Sequence, residues 1–159
     1  MATPDFILRL REKIGTDLLW LPGVTVVVID RRTPQPRVLC VRRADNGQWT
    51  PVTGIVDPGE EPAAAGEREV LEEAGVEARC DWLVSVEVVG PIRYPNGDLS
   101  QYVDLCFAAH HVSGDPHPAD GENTEARWFG ADELPPMNDR FQRAVRQALG
   151  PVAPAEFNR

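Results

Sequence analysis

Apolar residues near the N-terminus recur with the period of an amphipathic helix. Thr3 and Pro4 are a common N-cap and first helical position, and Gly15 ends the pattern. One stripe of this predicted helix is apolar: Phe6, Ile7, Leu10 and Ile14. We therefore expect residues 1–16 to form a short helix that packs either on the domain or on a second subunit.

Strands are predicted next by runs of β-branched and other apolar residues. The run "VTVVVID" at 24–30 is typical of a strand that is buried on both faces. A polar turn leads to a second strand, "RVLCVRR" at 37–43, and residues 44–54 are predicted to be a loop.

The rest of the chain alternates between helical and extended patterns. The predicted elements are a helix over 62–74, an extended region broken by Gly90-Pro91, a hairpin with its turn at 94–98, a strand over 125–129 and a helix over 138–149. Strands before, between and after helices predict an α/β protein with helices on the faces of a mixed β-sheet.

Length and charge limit the classes of protein to be considered. The chain has 159 residues, of which 42% are hydrophobic and 26% are charged, as expected for a single globular domain. Its net charge of -9 predicts no affinity for nucleic acid or for anionic membranes.

Three separated cysteines without a CxxC pair predict reduced thiols. The N-terminus lacks the apolar core of a signal peptide, so a cytoplasmic location is expected.

The stretch "EREVLEEAGV" at 67–76 concentrates four glutamates on a short predicted helix. Like charges four residues apart repel by a few tenths of a kcal/mol per pair, so their clustering needs an explanation. It could be a solubilising surface, a charge network with arginines, or a site for a cation.

A helical wheel at about 100° per residue groups these charges. Glu69, Glu72 and Glu73 share an arc of roughly 100°, and Arg68 lies beside Glu72. The opposite arc, predicted to be buried, holds Ala63, Val70, Leu71 and Ala74. Residues 54–76 contain no lysine and one arginine, which favours a cation site over a solubilising face.

The whole stretch "GIVDPGEEPAAAGEREVLEEAGV" follows the spacing G-x5-E-x7-R-E-U-x-E-E-x-G-U, where U is apolar. Its defined positions are Gly54, Glu60, Arg68, Glu69, Glu72, Glu73 and Gly75, with Val70 and Val76 at the apolar places. This resembles the signature of the Nudix hydrolases. The resemblance implies an α/β/α sandwich around a mixed sheet, with the Nudix domain over 17–150 and a tail over 151–159.

The resemblance also implies a chemistry and a metal. Nudix enzymes generally use Mg²⁺ or Mn²⁺ to hydrolyse a nucleoside diphosphate that is linked to another moiety. By similarity, Glu69, Glu72, Glu73 and the Gly54 carbonyl would be metal ligands, and Arg68 would hold a carboxylate in position. Mg²⁺ commonly binds carboxylates together with substrate phosphates.

Two features stay open at this point. The family often has Pro-Gly-Gly where this chain has Val-Thr-Gly at 52–54, so the loop that presents the Gly54 carbonyl can differ. The catalytic base varies in position across the family, and the candidates here are Glu69, Glu73, Glu122 and Glu125.

Outside the motif, four residues are candidates for binding substrate. Arg43 could contact phosphate or be a surface residue, and Trp49 could stack on a base or pack in the core. Tyr94 and Tyr102 could stack on a ligand or pair across the hairpin.

The predicted substrate is ADP-ribose or a nucleotide sugar, because Pro91 lies close to a proline of Nudix ADP-ribose pyrophosphatases. The alternatives are a (d)NTP pyrophosphatase for oxidised nucleotides and a non-catalytic nucleotide-binding module. The expected partner is this small nucleotide, and a homodimer is compatible with the N-terminal helix.

Overall fold

The computed structural model describes residues 3–159, which form three helices and eight strands. The helices are α1 (Asp5–Ile14), α2 (Pro62–Ala74) and α3 (Asp139–Leu149). The strands are β1 (Leu19–Asp30), β2 (Arg37–Arg43), β3 (Trp49–Thr50), β4 (Val52–Ile55), β5 (Glu77–Arg93), β6 (Leu99–Ser113), β7 (Asn123–Gly130) and β8 (Glu156–Phe157). Among residues 3–159, no helix has the length and apolar character needed to cross a membrane.

All the strands belong to one mixed sheet with the order β3-β2-β1-β6-β5-β8. In addition, β4 pairs with β1 and β7 pairs with β2. The β1–β6 and β5–β8 pairs are parallel, and the other pairs are antiparallel. The mixed sheet predicted from the sequence is confirmed.

The apolar side chains of β1 serve two cores on opposite faces of this sheet. Val26 and Val28 pack in the core that includes residues of α2, whereas Val27 and Ile29 pack in the core that includes residues of α3. This alternation follows from the two-residue period of a strand. The result is the predicted α/β/α sandwich, and it explains why β1 is apolar at consecutive positions.

The strand bounds differ from the prediction where pairing is long-range. β1 begins at Leu19 instead of residue 24 because it pairs in parallel with β6 from Leu19 opposite Ser100 onward. The predicted loop at 44–54 contains β3 and β4, which pair with β2 and β1. A short strand without alternation is not visible in the sequence until its partner is known.

The start of α1 is shifted by one residue from the prediction. Pro4, instead of Thr3, occupies the N-cap, and no side chain caps the helix. The Pro4 carbonyl accepts hydrogen bonds from the backbone N–H groups of Ile7 and Leu8 at 2.9 and 3.2 Å. Because proline has no N–H group and a fixed φ, it fits at this boundary position.

The buried face of α2 was predicted correctly at Val70 and Ala74 and wrongly at Leu71. Leu71, expected in the core, has 49% of its surface exposed, whereas Glu69 and Glu73 are 0% and 3% exposed. The buried arc instead contains Ala65, Gly66, Glu69, Val70, Glu73 and Ala74. The wheel grouped the glutamates correctly, but the assumption that carboxylates face water placed them on the wrong side.

The three cysteines are free thiols. Burial raises the pKa of Cys40, Cys80 and Cys106 to about 12, so these thiols stay protonated at neutral pH. They act as small apolar side chains.

Gly66 allows α2 to approach β1 closely. A Cβ at this position would lie 2.7 Å from Cγ2 of Val26, which is buried in the sheet. We expect Gly66→Ala to lower the free energy of unfolding by roughly 1–2 kcal/mol, because crowding outweighs the gain in helix propensity. Urea denaturation measures this change.

The exposed Ala64 on the same helix is the matched position for helix propensity alone. Ala64→Gly should lower the free energy of unfolding by about 1 kcal/mol, because alanine has the higher helix propensity. A Gly66→Ala protein that is more stable than the wild type would show that the contact with Val26 is not tight.

Candidate active site

The centre of the site is a contact between Gly54 of β4 and Glu69 of α2. The Glu69 side chain is fully buried, and a Cβ built on Gly54 would overlap its Cγ, Cδ and Oε1 atoms. Glycine at residue 54 therefore leaves the space that the carboxyl group of Glu69 occupies. The register of β4, with Gly54 opposite Val24 of β1, holds this backbone in place.

Arg68 organises the carboxylates around this contact. Its Nη1 donates to Glu69 Oε1 at 2.9 Å and to Glu72 Oε2 at 3.1 Å. Its Nε and Nη2 donate to the two oxygens of Glu60 at 2.8 and 2.9 Å. Glu60 holds the pKa of the guanidinium above its ordinary value, so Arg68 is a permanent positive charge beside Glu69.

Glu73 lies one turn further along α2 and is 3% exposed. The side-chain amide of Asn123, the first residue of β7, donates to Glu73 Oε2 at 3.0 Å. Asn123 is itself buried, so it fixes the orientation of the carboxylate. No role was predicted for Asn123 from the sequence. The available signal was the position of Asn123, a polar residue after an acidic loop and two residues before the predicted strand at 125–129.

Burial disfavours the charged form of both carboxyl groups. It raises the pKa of Glu69 to about 7, against the opposing effect of Arg68. It also raises the pKa of Glu73 to about 7, where Asn123 opposes the shift and Asp120 adds to it. Two carboxylates with such pKa values in one site are typical of functional positions, where a bound cation would favour the charged form.

The structure brings two of the three predicted glutamate ligands into a buried site. The Glu72 carboxylate is 45% exposed and paired with Arg68. Within residues 3–159, no group of three or more His, Cys, Asp and Glu side chains converges as a metal site would require. In the same part of the chain, Glu69 Oε2 is buried without a hydrogen-bond partner. Of the predicted ligands, Gly54 and Glu69 are in contact, and Glu73 lines the same cavity as Gly54.

A cavity of about 690 Å³ opens beside these residues. Six predicted site residues line it: Arg43, Gly54, Glu73, Tyr94, Tyr102 and Glu122. Ligand-binding pockets in proteins commonly measure ~300–1,000 Å³, so this cavity suits a nucleotide-sized molecule.

Arg43 and Tyr94 are each held by a neighbour in the cavity wall. The Nε and Nη2 atoms of Arg43 donate to the Asp45 carboxylate at 3.0 and 2.9 Å. The hydroxyl groups of Tyr94 and Tyr102 lie 2.7 Å apart. The pairing across the hairpin considered for these tyrosines is thus present, and both rings also line the cavity.

Trp49 and Glu125 are not among the residues that line the cavity. The Trp49 ring packs edge-on against Phe129, with 4.9 Å between the ring centroids. Glu125 accepts a hydrogen bond from Arg42 at 3.0 Å. These contacts favour the packing alternative for Trp49 and a structural role for Glu125.

The loop that carries Glu122 is fastened to the C-terminal end of α2. The backbone N–H groups of His117 and Ala119 donate to the carbonyls of Ala74 and Glu73 at 3.0 and 3.2 Å. At its other end the Glu122 carbonyl accepts from the Ala44 N–H at 2.8 Å. These contacts hold Glu122 in the cavity wall near Glu73.

A buried polar cluster in the same wall was not predicted. The Asp104 carboxylate of β6 accepts from Thr25 Oγ1 at 2.9 Å and pairs with Arg140 at 2.5 Å. Burial raises the pKa of Asp104, and Arg140 opposes that shift. The three residues are 79 and 115 positions apart along the chain, so only the fold brings them together.

The raised pKa values predict how stability without metal depends on pH. Since Glu69 and Glu73 have pKa values of about 7 in the folded protein and near 4.5 when unfolded, the folded state binds more protons between these values. In EDTA, the free energy of unfolding should therefore fall as pH rises from about 4.5 to about 7. Glu69→Gln should flatten this fall and be more stable than the wild type at pH 8 by roughly 1–3 kcal/mol.

Urea denaturation at pH 5 and pH 8 checks this prediction. Glu72→Gln is the matched control, because its carboxylate is on the same helix and largely accessible to water. The Glu72→Gln protein should follow the pH dependence of the wild type. Parallel curves for Glu69→Gln and the wild type would show that burial does not oppose the Glu69 charge.

Two relatives of known name align with this chain over most of its length. The NAD-capped RNA hydrolase NudC of Deinococcus radiodurans is 34% identical over 127 residues, which are 79% of this chain and 42% of that protein. The protein of the same name from Vibrio cholerae is 31% identical over 80% of this chain and 46% of its own. This chain thus spans less than half the length of these two relatives.

A solved structure and a family profile extend the comparison to the fold. The MutT NUDIX hydrolase of Burkholderia pseudomallei is 26% identical, with a TM-score of 0.60 over 81% of this chain and 98% of that one. The profile of the NUDIX domain matches residues 20–149, and this range includes the whole motif with Gly54, Glu69 and Glu73. The chain therefore belongs to the Nudix family.

Proposed function

We propose that this chain is a metal-dependent pyrophosphohydrolase that cleaves the diphosphate of a nucleoside diphosphate linked to another moiety. The observation that carries the proposal is the burial of Glu69 and Glu73 next to Gly54, at the edge of the cavity. A buried pair of carboxylates has little structural value without a cation, because burial disfavours the charges.

The residues present fit a divalent cation such as Mg²⁺ or Mn²⁺. All the available donor atoms are oxygens, which hard cations prefer, and the buried Glu69 Oε2 lacks a hydrogen-bond partner among the described residues. Glu69, Glu73 and the Gly54 carbonyl would hold the ion. When bound, such an ion supplies charge neutralisation for phosphate oxygens and acidifies a bound water. Glu72 would join these ligands only if its carboxylate left Arg68.

The protein's own residues position the reactants. Arg68 fixes Glu69 and Asn123 fixes Glu73, so neither carboxylate has to reorganise when substrate arrives. Arg43 lies in the cavity wall, where its guanidinium can bind a substrate phosphate. Glu122 lies in the same wall and is our candidate for the base that removes a proton from the attacking water.

ADP-ribose or a nucleotide sugar is the proposed substrate class. The relatives in D. radiodurans and V. cholerae are named for hydrolysis of NAD-capped RNA. NAD and ADP-ribose share an adenosine that is joined through a pyrophosphate to a second ribose, and the cavity volume suits such a molecule. The Pro91 hint is weaker, since Pro91 lies where the pairing of β5 with β6 is interrupted between Val89 and Ile92.

Two other substrates are alternatives to this class. A nucleoside triphosphate would bind at the same phosphate site in the same cavity, so the (d)NTP alternative is kept. A capped RNA would have to reach a chain with a net charge of -9, which disfavours a long polyanion. The expectation of a small nucleotide substrate and a cytoplasmic location stays a prediction.

Replacing Glu73 tests the proposed function. With Mg²⁺, the wild type should hydrolyse a member of a panel of ADP-ribose, UDP-glucose, NADH, a dinucleoside polyphosphate and dNTPs. Glu73→Gln should reduce this turnover by roughly 100-fold or more while the protein stays folded, because the site loses a charged oxygen. Chromatography of the products also separates the alternatives: ADP-ribose yields AMP, and a dNTP yields pyrophosphate or phosphate.

Glu67→Gln is the matched control on the same helix. Glu67 pairs with Arg79 and accepts from the Cys80 N–H, on a side of α2 that does not line the cavity. Its replacement should leave turnover within about twofold of the wild type. Unchanged turnover in Glu73→Gln would refute the catalytic assignment, and a wild type that hydrolyses none of the panel would favour a nucleotide-binding module.

A further inference from the structure

Helix α1 forms part of the cavity wall although it precedes the NUDIX match, which begins at residue 20. Thr3, Pro4, Ile7 and Arg11 line the same cavity as Gly54 and Glu73. Ile7 is 5% exposed and is the one residue of α1 that is buried. The cavity is therefore completed by a segment that the family domain does not supply.

Arg11 fastens α1 to the start of β6. Its Nη2 donates to the Leu99 carbonyl at 2.9 Å and to Ser100 Oγ at 3.0 Å. Its Nη1 donates to the Asp17 carbonyl at 2.7 Å, and its Nε lies 3.5 Å from Asp98. These contacts bind the helix to its own domain, so α1 is a fixed wall.

The strand pairing shows what lies beside this wall. Ser100, which Arg11 contacts, is opposite Leu19 of β1 and Ile92 of β5. Further along these strands, Leu21, Val89 and Ile92 line the cavity. Together with Pro4 and Ile7 they form an apolar surface at this end of the cavity, beside the polar group of Arg11, Asp98 and Ser100. The other end, at Gly54 and Glu73, is acidic.

Gly23 keeps the two ends connected. A Cβ on Gly23 would point between Tyr102 Cδ1 at 3.4 Å, Asp104 Oδ1 at 3.5 Å and the Gly54 carbonyl oxygen at 3.6 Å. A side chain here would therefore fill the space next to the Gly54 carbonyl, and Gly23 and Gly54 line the same cavity as Ile7. A single ligand can thus extend from the acidic end to α1.

We propose that α1 is the specificity-determining wall that contacts the nucleobase of the substrate, with Ile7 as the contacting residue. This inference rests on the proposed function for the phosphate end of the ligand. Apolar side chains cannot satisfy the hydroxyl groups of a sugar, whereas the flat face of a base loses little by leaving water. The phosphates then lie at the Gly54 end, and Arg11 acts as a positioning residue that holds α1.

Binding of the hydrolysis products tests the proposal without turnover. Calorimetry with Mg²⁺ compares AMP with ribose 5-phosphate, which lacks the base. Ile7→Trp places a larger side chain in the wall and should weaken AMP binding by about tenfold or more. Ribose 5-phosphate binding should change by less than about twofold, because that ligand does not reach α1.

Leu8→Trp is the matched control on the same helix, since Leu8 is 50% exposed and does not line the cavity. It should bind AMP as the wild type does. Ile7→Ala, which removes contact without crowding, should also weaken AMP binding selectively, and thermal melts establish that each variant is folded.

Three results would overturn the proposal. In the first, both Ile7 variants bind AMP as tightly as the wild type does. In the second, those variants lose affinity for AMP and for ribose 5-phosphate equally. In the third, the wild type does not bind AMP. Absence of hydrolysis is a separate outcome, because it contradicts the proposed function while the comparison of AMP affinities still decides the role of α1.

Discussion

The structure of the site depends on one contact, in which the Glu69 carboxyl group fills the space that a side chain on Gly54 would need. Burial of Glu69 favours its neutral form, so the carboxylate is held charged only by a partner. Arg68 supplies one such partner at Oε1. Within the described chain the other oxygen, Oε2, is buried and lacks a hydrogen bond, which is the position where a cation would restore the balance.

The fold maintains this contact by means of the central strand β1. β1 pairs with β4, which presents Gly54, and its side chains pack against α2, which carries Glu69 and Glu73. The loop before β7 is bonded to the end of α2, and β7 supplies Asn123 to Glu73. Each ligand candidate is therefore held in place by contacts within the protein. Such preorganisation is what an electrostatic site requires.

The sequence predicted the parts of this arrangement that depend on local patterns. The bounds of β2 and α2 were predicted correctly, because apolar periodicity and the proline and glycine at the helix ends are local signals. The burial of Glu69 was missed because a helical wheel gives relative angles and not the identity of the neighbour. Asn123 and Asp104 were missed because their partners, Glu73 and Thr25, are 50 and 79 residues away along the chain. The motif located the carboxylates, and the fold decides which of them are buried.

The most direct test of the central claim is diffraction from crystals grown with Mn²⁺, because its anomalous signal locates the ion among the oxygens. The account predicts an ion within about 2.5 Å of carboxylate oxygens of Glu69 and Glu73 and of the Gly54 carbonyl, and none in crystals of Glu69→Gln. An ion bound elsewhere, or a fully occupied site that leaves Glu69 Oε2 without a ligand, would contradict the account.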